Sequence, residues 1–159
     1  MIAIETNILI YAHRQEATQF EAATYALENL SRSGEAWAIP WPCACEFIAI
    51  VTGRAFGTAA TPLPIALETI RSWTSHPQCS LLSENDESFE LLAELAMRAK
   101  LAGGAIHDAK IAAICLSHHV SELWTADRDF QKFPDLRTRN PLVASLHEPR
   151  RAYTANLIT

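Results

Sequence analysis

The sequence lacks the features that mark membrane, secreted and most nucleotide-binding proteins. Its longest apolar runs, such as 47–51, are far shorter than the roughly 18 residues of a membrane span. No basic segment precedes the apolar N-terminal stretch, so we expect no signal peptide and a cytoplasmic location. The P-loop, the Rossmann glycine pattern and the G-x-S-x-G motif are missing, which excludes the commoner nucleotide-binding and hydrolase folds.

The sequence has four cysteines, and their spacing does not predict a structural zinc site. Cys43 and Cys45 form a C-x-C pair with no second pair, whereas structural zinc sites usually combine two close pairs. His118 and His119 are adjacent, so their side chains would point in different directions on a helix. We therefore expect the cysteines to be buried, reduced thiols.

The composition is that of one folded domain with an excess of acidic residues. Hydrophobic residues make up 49% and charged residues 19% of the 159-residue chain, which argues against disorder. The net charge of −5 does not favour a protein that coats nucleic acid, although it is compatible with a nuclease whose acids hold a metal. The basic residues near the C-terminus could face phosphates, but we expect most of them to lie on a solvated surface. These are Arg128, Lys132, Arg137, Arg139, Arg150 and Arg151.

Short apolar runs alternate with amphipathic segments along the chain. Strands are predicted at 1–4, 36–39, 79–82 and 122–124. Helices are predicted after Glu5, capped by Thr6 or Asn7, and at 17–33, 42–52, 64–73, 87–101 and 106–118. This alternation predicts a parallel sheet covered by helices, with right-handed crossover connections. Functional residues are then expected directly after the strands, at the carboxyl edge of the sheet.

Acidic residues stand at such positions. Glu5 closes the first strand, Asp127 follows the fourth, and Asp108 lies in the first turn of the last helix. Glu46 lies on the apolar stripe of its helix, which predicts a buried or half-buried charge costing several kcal/mol unless it is paired. Each acid alone also fits a role as a cap or turn residue. Together, their carboxylates suit Mg²⁺ or Mn²⁺, which activate water and stabilise leaving groups in phosphoryl chemistry.

The segments around these acids resemble the PIN-domain toxins of the VapC type. Residues 1–12 (MIAIETNILIYA) resemble the opening strand and turn of that family, and residues 42–47 (PCACEF) its second acidic motif. Residues 107–113 and 125–130 are similar to the third and fourth motifs. The resemblance extends to about Val143, so we expect a PIN domain over 1–143 and a C-terminal tail of unknown role over 144–159. It implies an α/β three-layer sandwich in which helices cover both faces of a mostly parallel sheet.

The resemblance also implies an activity and partners. The family members are Mg²⁺-dependent endoribonucleases, with Mn²⁺ as a substitute, that cut structured RNA such as tRNA or rRNA. Metal-activated water would attack the phosphorus and leave 5′-phosphate and 3′-hydroxyl ends. A VapB-type antitoxin, a homodimer and no membrane association are implied as well.

Site residues follow from the matched motifs. The expected catalytic residues are Glu5, Glu46, Asp108 and Asp127. Glu5 and Asp108 are expected to ligate the principal metal, directly or through water, and Asp127 is expected to ligate it or a second ion. Asp129 is the substitute for Asp127. Candidates for orienting the carboxylates are Thr6, Asn7 and Thr125, for which helix capping is an equally good role.

Two alternatives to a nuclease remain open. The family has aspartate where this chain has Glu5, and the extra methylene moves the carboxylate by ~1.5 Å in a site where about 0.5 Å matters. A PIN-like module that binds RNA or antitoxin without cleaving is therefore one alternative. The other is a receiver-type signalling domain, which needs a phosphoacceptor aspartate after a central strand; residues 83–86, after the third strand, match that requirement poorly.

Overall fold

The computed structural model describes residues 1–143, which form a five-stranded sheet with helices on both faces. The strands are β1 (Ile2–Ile4), β2 (Trp37–Pro40), β3 (Cys79–Leu82), β4 (Glu122–Trp124) and β5 (Thr138–Arg139). Their order across the sheet is β3-β2-β1-β4-β5, and neighbouring strands run parallel. The predicted α/β class is confirmed, and the predicted tail 144–159 lies outside the described residues.

The helices connect the strands in two groups. They are α1 (Thr6–His13), α2 (Phe20–Arg32), α3 (Trp41–Val51), α4 (Leu63–Thr74), α5 (Ser88–Arg98) and α6 (Ala105–Ser117). Helices α1 to α4 lie between β1 and β3 in the chain, and α5 and α6 lie between β3 and β4. Because the chain reverses its direction across the sheet after β3, right-handed crossovers place the two groups on opposite faces. Accordingly α1 packs against α2 and α3, and α5 packs against α6.

The sheet forms because its central strands are apolar on both faces. β1 and β2 are buried along their whole length, as expected of parallel strands covered on two sides. Helix α2 turns a stripe of Ala23, Leu27 and Leu30 into the core, which is the periodicity of an amphipathic helix. Two short 3₁₀ helices, Arg54–Ala59 and Arg128–Lys132, follow α3 and β4. Within residues 1–143, no helix has the length and apolarity to cross a membrane.

The structure corrects several local predictions. The cap of α1 is Glu5, whose side chain accepts the backbone N–H of Asn7; this is the capping role that was open to Glu5, and the prediction of Thr6 or Asn7 as the cap is wrong. Cys45 is exposed, whereas the sequence predicted buried thiols. Strand β3 lies at the edge of the sheet, so the segment that follows it is not at the central position that a receiver domain requires.

Candidate active site

The candidate site lies at the carboxyl ends of β1 and β4, the two neighbouring strands at which the chain connections diverge. The backbone N–H of Glu5 donates to the carbonyl of Trp124 at 3.0 Å, so the loops after both strands begin side by side. Beyond the carboxyl ends of parallel strands at such a switch point, a crevice forms that commonly binds ligands. Sequence reasoning located Glu5 and Asp127 at this edge.

Glu5 is buried and held by two donors. It is 6% exposed, and its Oε2 accepts the backbone N–H of Asn7 at 3.2 Å and the hydroxyl of Thr125 at 3.1 Å. Burial raises the pKa of Glu5 from 4.5 to about 7, because desolvation outweighs these hydrogen bonds, and the charge of Glu46 adds to the rise. Near neutral pH this carboxyl therefore titrates, and a bound cation would favour its charged form.

Asn7 and Thr125 join the two loops although they are 118 residues apart. The Asn7 amide donates to the Thr125 hydroxyl at 3.3 Å and accepts the backbone N–H of Ala126 at 3.1 Å. The same hydroxyl accepts the backbone N–H of Asp127 at 2.9 Å and donates to Glu5. A hydroxyl has one donor and two acceptor positions, so Thr125 uses all three. Both residues therefore hold the backbone around the acids in place, and the orienting of metal-binding carboxylates by them stays a prediction.

Glu46 is exposed, which contradicts the predicted buried or half-buried charge. The buried face of α3 is formed by Cys43, Ala44, Phe47 and Val51. At about 100° per residue, Glu46 lies roughly a third of a turn away from the middle of that face, at its border. Its Oε2 accepts the hydroxyl of Thr6 at 2.6 Å, and Thr6 directly follows Glu5. Glu46 thus reaches the site from the helix surface, with Thr6 as its hydrogen-bond partner.

Asp108 is close enough to the other acids for their charges to affect its pKa. It lies half-buried in the first turn of α6. Burial raises its pKa, and the negative charges of Asp127, Asp129 and Glu46 raise it further. Asp127 and Asp129 are both exposed, and Asp127 caps the second 3₁₀ helix by accepting the backbone N–H of Asp129 at 2.8 Å. The predicted acids therefore come from α3, α6 and the loops after β1 and β4, and their charges act on one another across these elements.

The donor chemistry fits a hydrated divalent ion. Within the described part of the chain, no three or more His, Cys, Asp or Glu side chains form a ready metal-binding group. Mg²⁺ in proteins usually keeps several waters and takes one or two carboxylates. A cluster of separate carboxylates suits that mode of binding and does not suit a closed cage of protein ligands. The direct ligation by Glu5, Asp108 and Asp127 that the motifs implied stays a prediction.

Sequence reasoning did not single out Lys132, which it grouped with five other basic residues that could face phosphates or lie on a solvated surface. Its ammonium lies 3.0 Å from Asp129, and its charge lowers the pKa of Asp108 against the larger effect of burial. The signal that could have identified this ion pair is the spacing of three residues between Asp129 and Lys132, because residues at that spacing lie on the same side of a helical turn.

A cavity of about 270 Å³ lies elsewhere, between α1, α2, α4 and the start of β2. Its walls include Leu27, Trp37 and Trp73, and none of the acids described above lines it. The acids lie outside this cavity, at the carboxyl ends of β1 and β4.

Comparisons with known proteins agree with this fold. Ribonuclease VapC43 of Mycobacterium tuberculosis is 29% identical over 147 residues, covering 92% of this chain and 99% of the relative. Ribonuclease VapC48 of the same species is 28% identical and covers 86% of this chain and 94% of its own length. Among solved structures, FitAcB from Neisseria gonorrhoeae has a TM-score of 0.68 at 20% identity, covering 89% of this chain and 98% of that one. VapBC2 from Rickettsia felis, bound to a DNA fragment from its promoter, has a TM-score of 0.66 at 18% identity and covers 87% and 98%.

The family profile covers every acid of the site. It is described as PIN domain and matches residues 2–136, a range that contains β1 to β4 and both 3₁₀ helices. The resemblance inferred from the four motifs is confirmed, and the match rules against the receiver-type signalling domain. The chain belongs to the PIN domain family.

Proposed function

We propose that the acidic site is the active site of a Mg²⁺- or Mn²⁺-dependent endoribonuclease that cleaves structured RNA such as tRNA or rRNA. The observation that carries the proposal is the hydrogen-bonded arrangement of Glu5, Thr125 and Asp127 at the switch point of a PIN domain, and the charges of Asp127 and Glu46, which raise the pKa of Asp108, support it. Relatives of nearly the same length that are named as ribonucleases support RNA as the substrate.

In this proposal Glu5 and Asp108 hold the principal metal, directly or through water, and Asp127 and Glu46 complete the acidic pocket. A divalent cation bound there supplies activation of water and stabilisation of the charge that develops on the phosphate. Thr125 and Asn7 keep the Glu5 carboxylate and the backbone of Asp127 in fixed relative positions. Thr6 does the same for Glu46.

The proposal includes a biological setting. The solved structures of similar fold include a toxin-antitoxin complex from Klebsiella pneumoniae with a TM-score of 0.58. We therefore infer that this chain is a cytoplasmic toxin that is neutralised by a VapB-type antitoxin and that it assembles as a homodimer. Light scattering over a range of concentrations tests the dimer, and a monomer at every concentration would contradict it.

The test of the activity is cleavage of total tRNA and rRNA in Mn²⁺, with and without EDTA. Asp108→Asn removes one of the carboxylate charges of the site. Loss of outer metal-site partners typically lowers activity by about 10- to 100-fold, so we expect turnover to fall by more than about 10-fold. Asp86→Asn is the matched control, because Asp86 is an exposed aspartate outside the cluster. Cleavage that survives EDTA, or equal turnover in both variants, would refute the proposal.

A second candidate, a PIN-like module that binds RNA or antitoxin without cleaving, is favoured by one observation. Glu5 is 6% exposed, and its carboxylate already serves as the cap of α1. Binding of RNA by the wild-type chain without any product in Mn²⁺ would support this candidate. If the wild type binds RNA without cleaving it, Glu5→Asp distinguishes a disabled nuclease from a binding module. Cleavage gained in that variant would show that the extra methylene disables an otherwise complete site. No cleavage in either protein would favour the binding module.

A further inference from the structure

Lys132 is the last residue of the second 3₁₀ helix, which follows Asp127. Two phenylalanines on either side of it, Phe130 and Phe133, are each 1% exposed, and their rings pack edge to face at 6.1 Å. Asp127 caps the start of the same helix. Since both ends of this short segment are anchored, the backbone of Lys132 has little freedom relative to the acids.

The ammonium of Lys132 forms an ion pair with a carboxylate of the same helix. Its Nζ lies 3.0 Å from Oδ1 of Asp129, whose backbone N–H donates to Asp127. The side chain of Lys132 is 42% exposed and that of Asp129 60%, so the ammonium remains accessible to a ligand. Exposed ion pairs of this kind contribute only ~0–1 kcal/mol to stability, so the fold does not depend on this contact.

The ammonium also lies within electrostatic range of the cluster. Burial raises the pKa of Asp108 and three carboxylates add to the rise, whereas the charge of Lys132 opposes it. A chain of net charge −5 with clustered carboxylates repels the phosphates of RNA. An accessible cation beside those carboxylates is the chemical group that attracts a phosphate to them.

We propose, resting on the nuclease function above, that Lys132 binds a backbone phosphate of the RNA next to the scissile bond and that Asp129 is its positioning residue. Asp129 was expected to substitute for Asp127 as a metal ligand, and its contact with Lys132 gives it this different task. The ligand class is a nucleic-acid phosphodiester, recognised through its charge and independent of the base sequence.

The test is equilibrium binding of a fluorescein-labelled RNA hairpin to the full chain in EDTA, measured over a series of NaCl concentrations. Each phosphate contact contributes about 0.7 to 0.9 to the slope of log K against log salt. We expect Lys132→Met to reduce the slope by that amount and to weaken binding, and Lys132→Arg to retain the wild-type slope. Lys110→Met is the matched control, because Lys110 has a side chain 41% exposed and pairs with one carboxylate, Glu84, at 3.9 Å.

The outcomes separate this inference from the nuclease function. If the wild type binds the hairpin and cleaves RNA, but Lys132→Met keeps the wild-type slope as Lys110→Met does, the role of Lys132 is refuted and the nuclease function stands. If the wild type neither binds the hairpin nor cleaves total RNA, both are refuted. Cleavage kinetics provide a second measurement: loss of a phosphate contact made equally in ground and transition states raises KM and leaves kcat unchanged.

Discussion

The buried carboxyl of Glu5 makes a quantitative prediction about stability and pH. Its pKa is about 7 in the folded chain against an ordinary value of 4.5. The folded state therefore binds the proton more tightly than the unfolded state, and stability falls as pH rises from 4.5 towards 7. Each pKa unit corresponds to about 1.4 kcal/mol, so a fully charged Glu5 costs the metal-free protein about 3 kcal/mol. This cost is absent when the side chain is neutral at every pH.

Glu5→Gln provides that neutral side chain with nearly the same shape, and its amide oxygen can still accept from Asn7 and Thr125. In EDTA, we expect the variant to gain stability over the wild type as pH rises, by about 2 kcal/mol between about pH 5 and pH 8. At about 2–4 °C per kcal/mol for a chain of this size, the difference in Tm grows by about 4–8 °C.

Thermal unfolding of both proteins across this pH range measures the effect. Subtracting the Tm of the wild type from that of Glu5→Gln at each pH removes the contribution of all other titrating groups. Glu90→Gln, at an exposed position, controls for the loss of one negative charge. A difference in Tm that stays constant with pH, or that reverses in sign, would refute the raised pKa and with it the burial of an unpaired charge at Glu5.

Two further variants test the framework of the site. Thr125→Val removes the hydroxyl that makes three hydrogen bonds, so we expect a loss of about 1–3 kcal/mol in urea unfolding, largely restored by Thr125→Ser; equal stability of the two variants would contradict that network. Phe130→Ala empties a fully buried position under the second 3₁₀ helix, so we expect a loss of about 3–5 kcal/mol. Phe130→Leu should lose much less, and a similar loss in both would contradict a cavity effect.

Local patterns were sufficient to predict most of the fold. β3 and β4 have the predicted bounds, and the helices end within a few residues of their predicted limits, because buried runs and apolar stripes depend on neighbouring residues alone. β5 was not predicted, since two residues, Thr138 and Arg139, are too few to produce a period. Glu46 was predicted on the buried face of α3, whereas it is exposed. The prediction failed because a helical stripe that contains both polar and apolar residues does not show where the centre of the buried face lies.

The parts of the site that were not predicted depend on contacts between distant segments. No sequence period connects Asn7 with Thr125, or shows that the hydroxyl of Thr125 is saturated by Asn7, Glu5 and Asp127. These contacts form only when β4 pairs with β1, which brings residues some 120 positions apart into register. The charge of Glu5, the backbone of Asp127 and the pairing of the two strands are therefore coupled. Any opening that separates β1 from β4 must dismantle the acidic site at the same time, whereas the exposed ion pair of Lys132 can be changed without disturbing either strand.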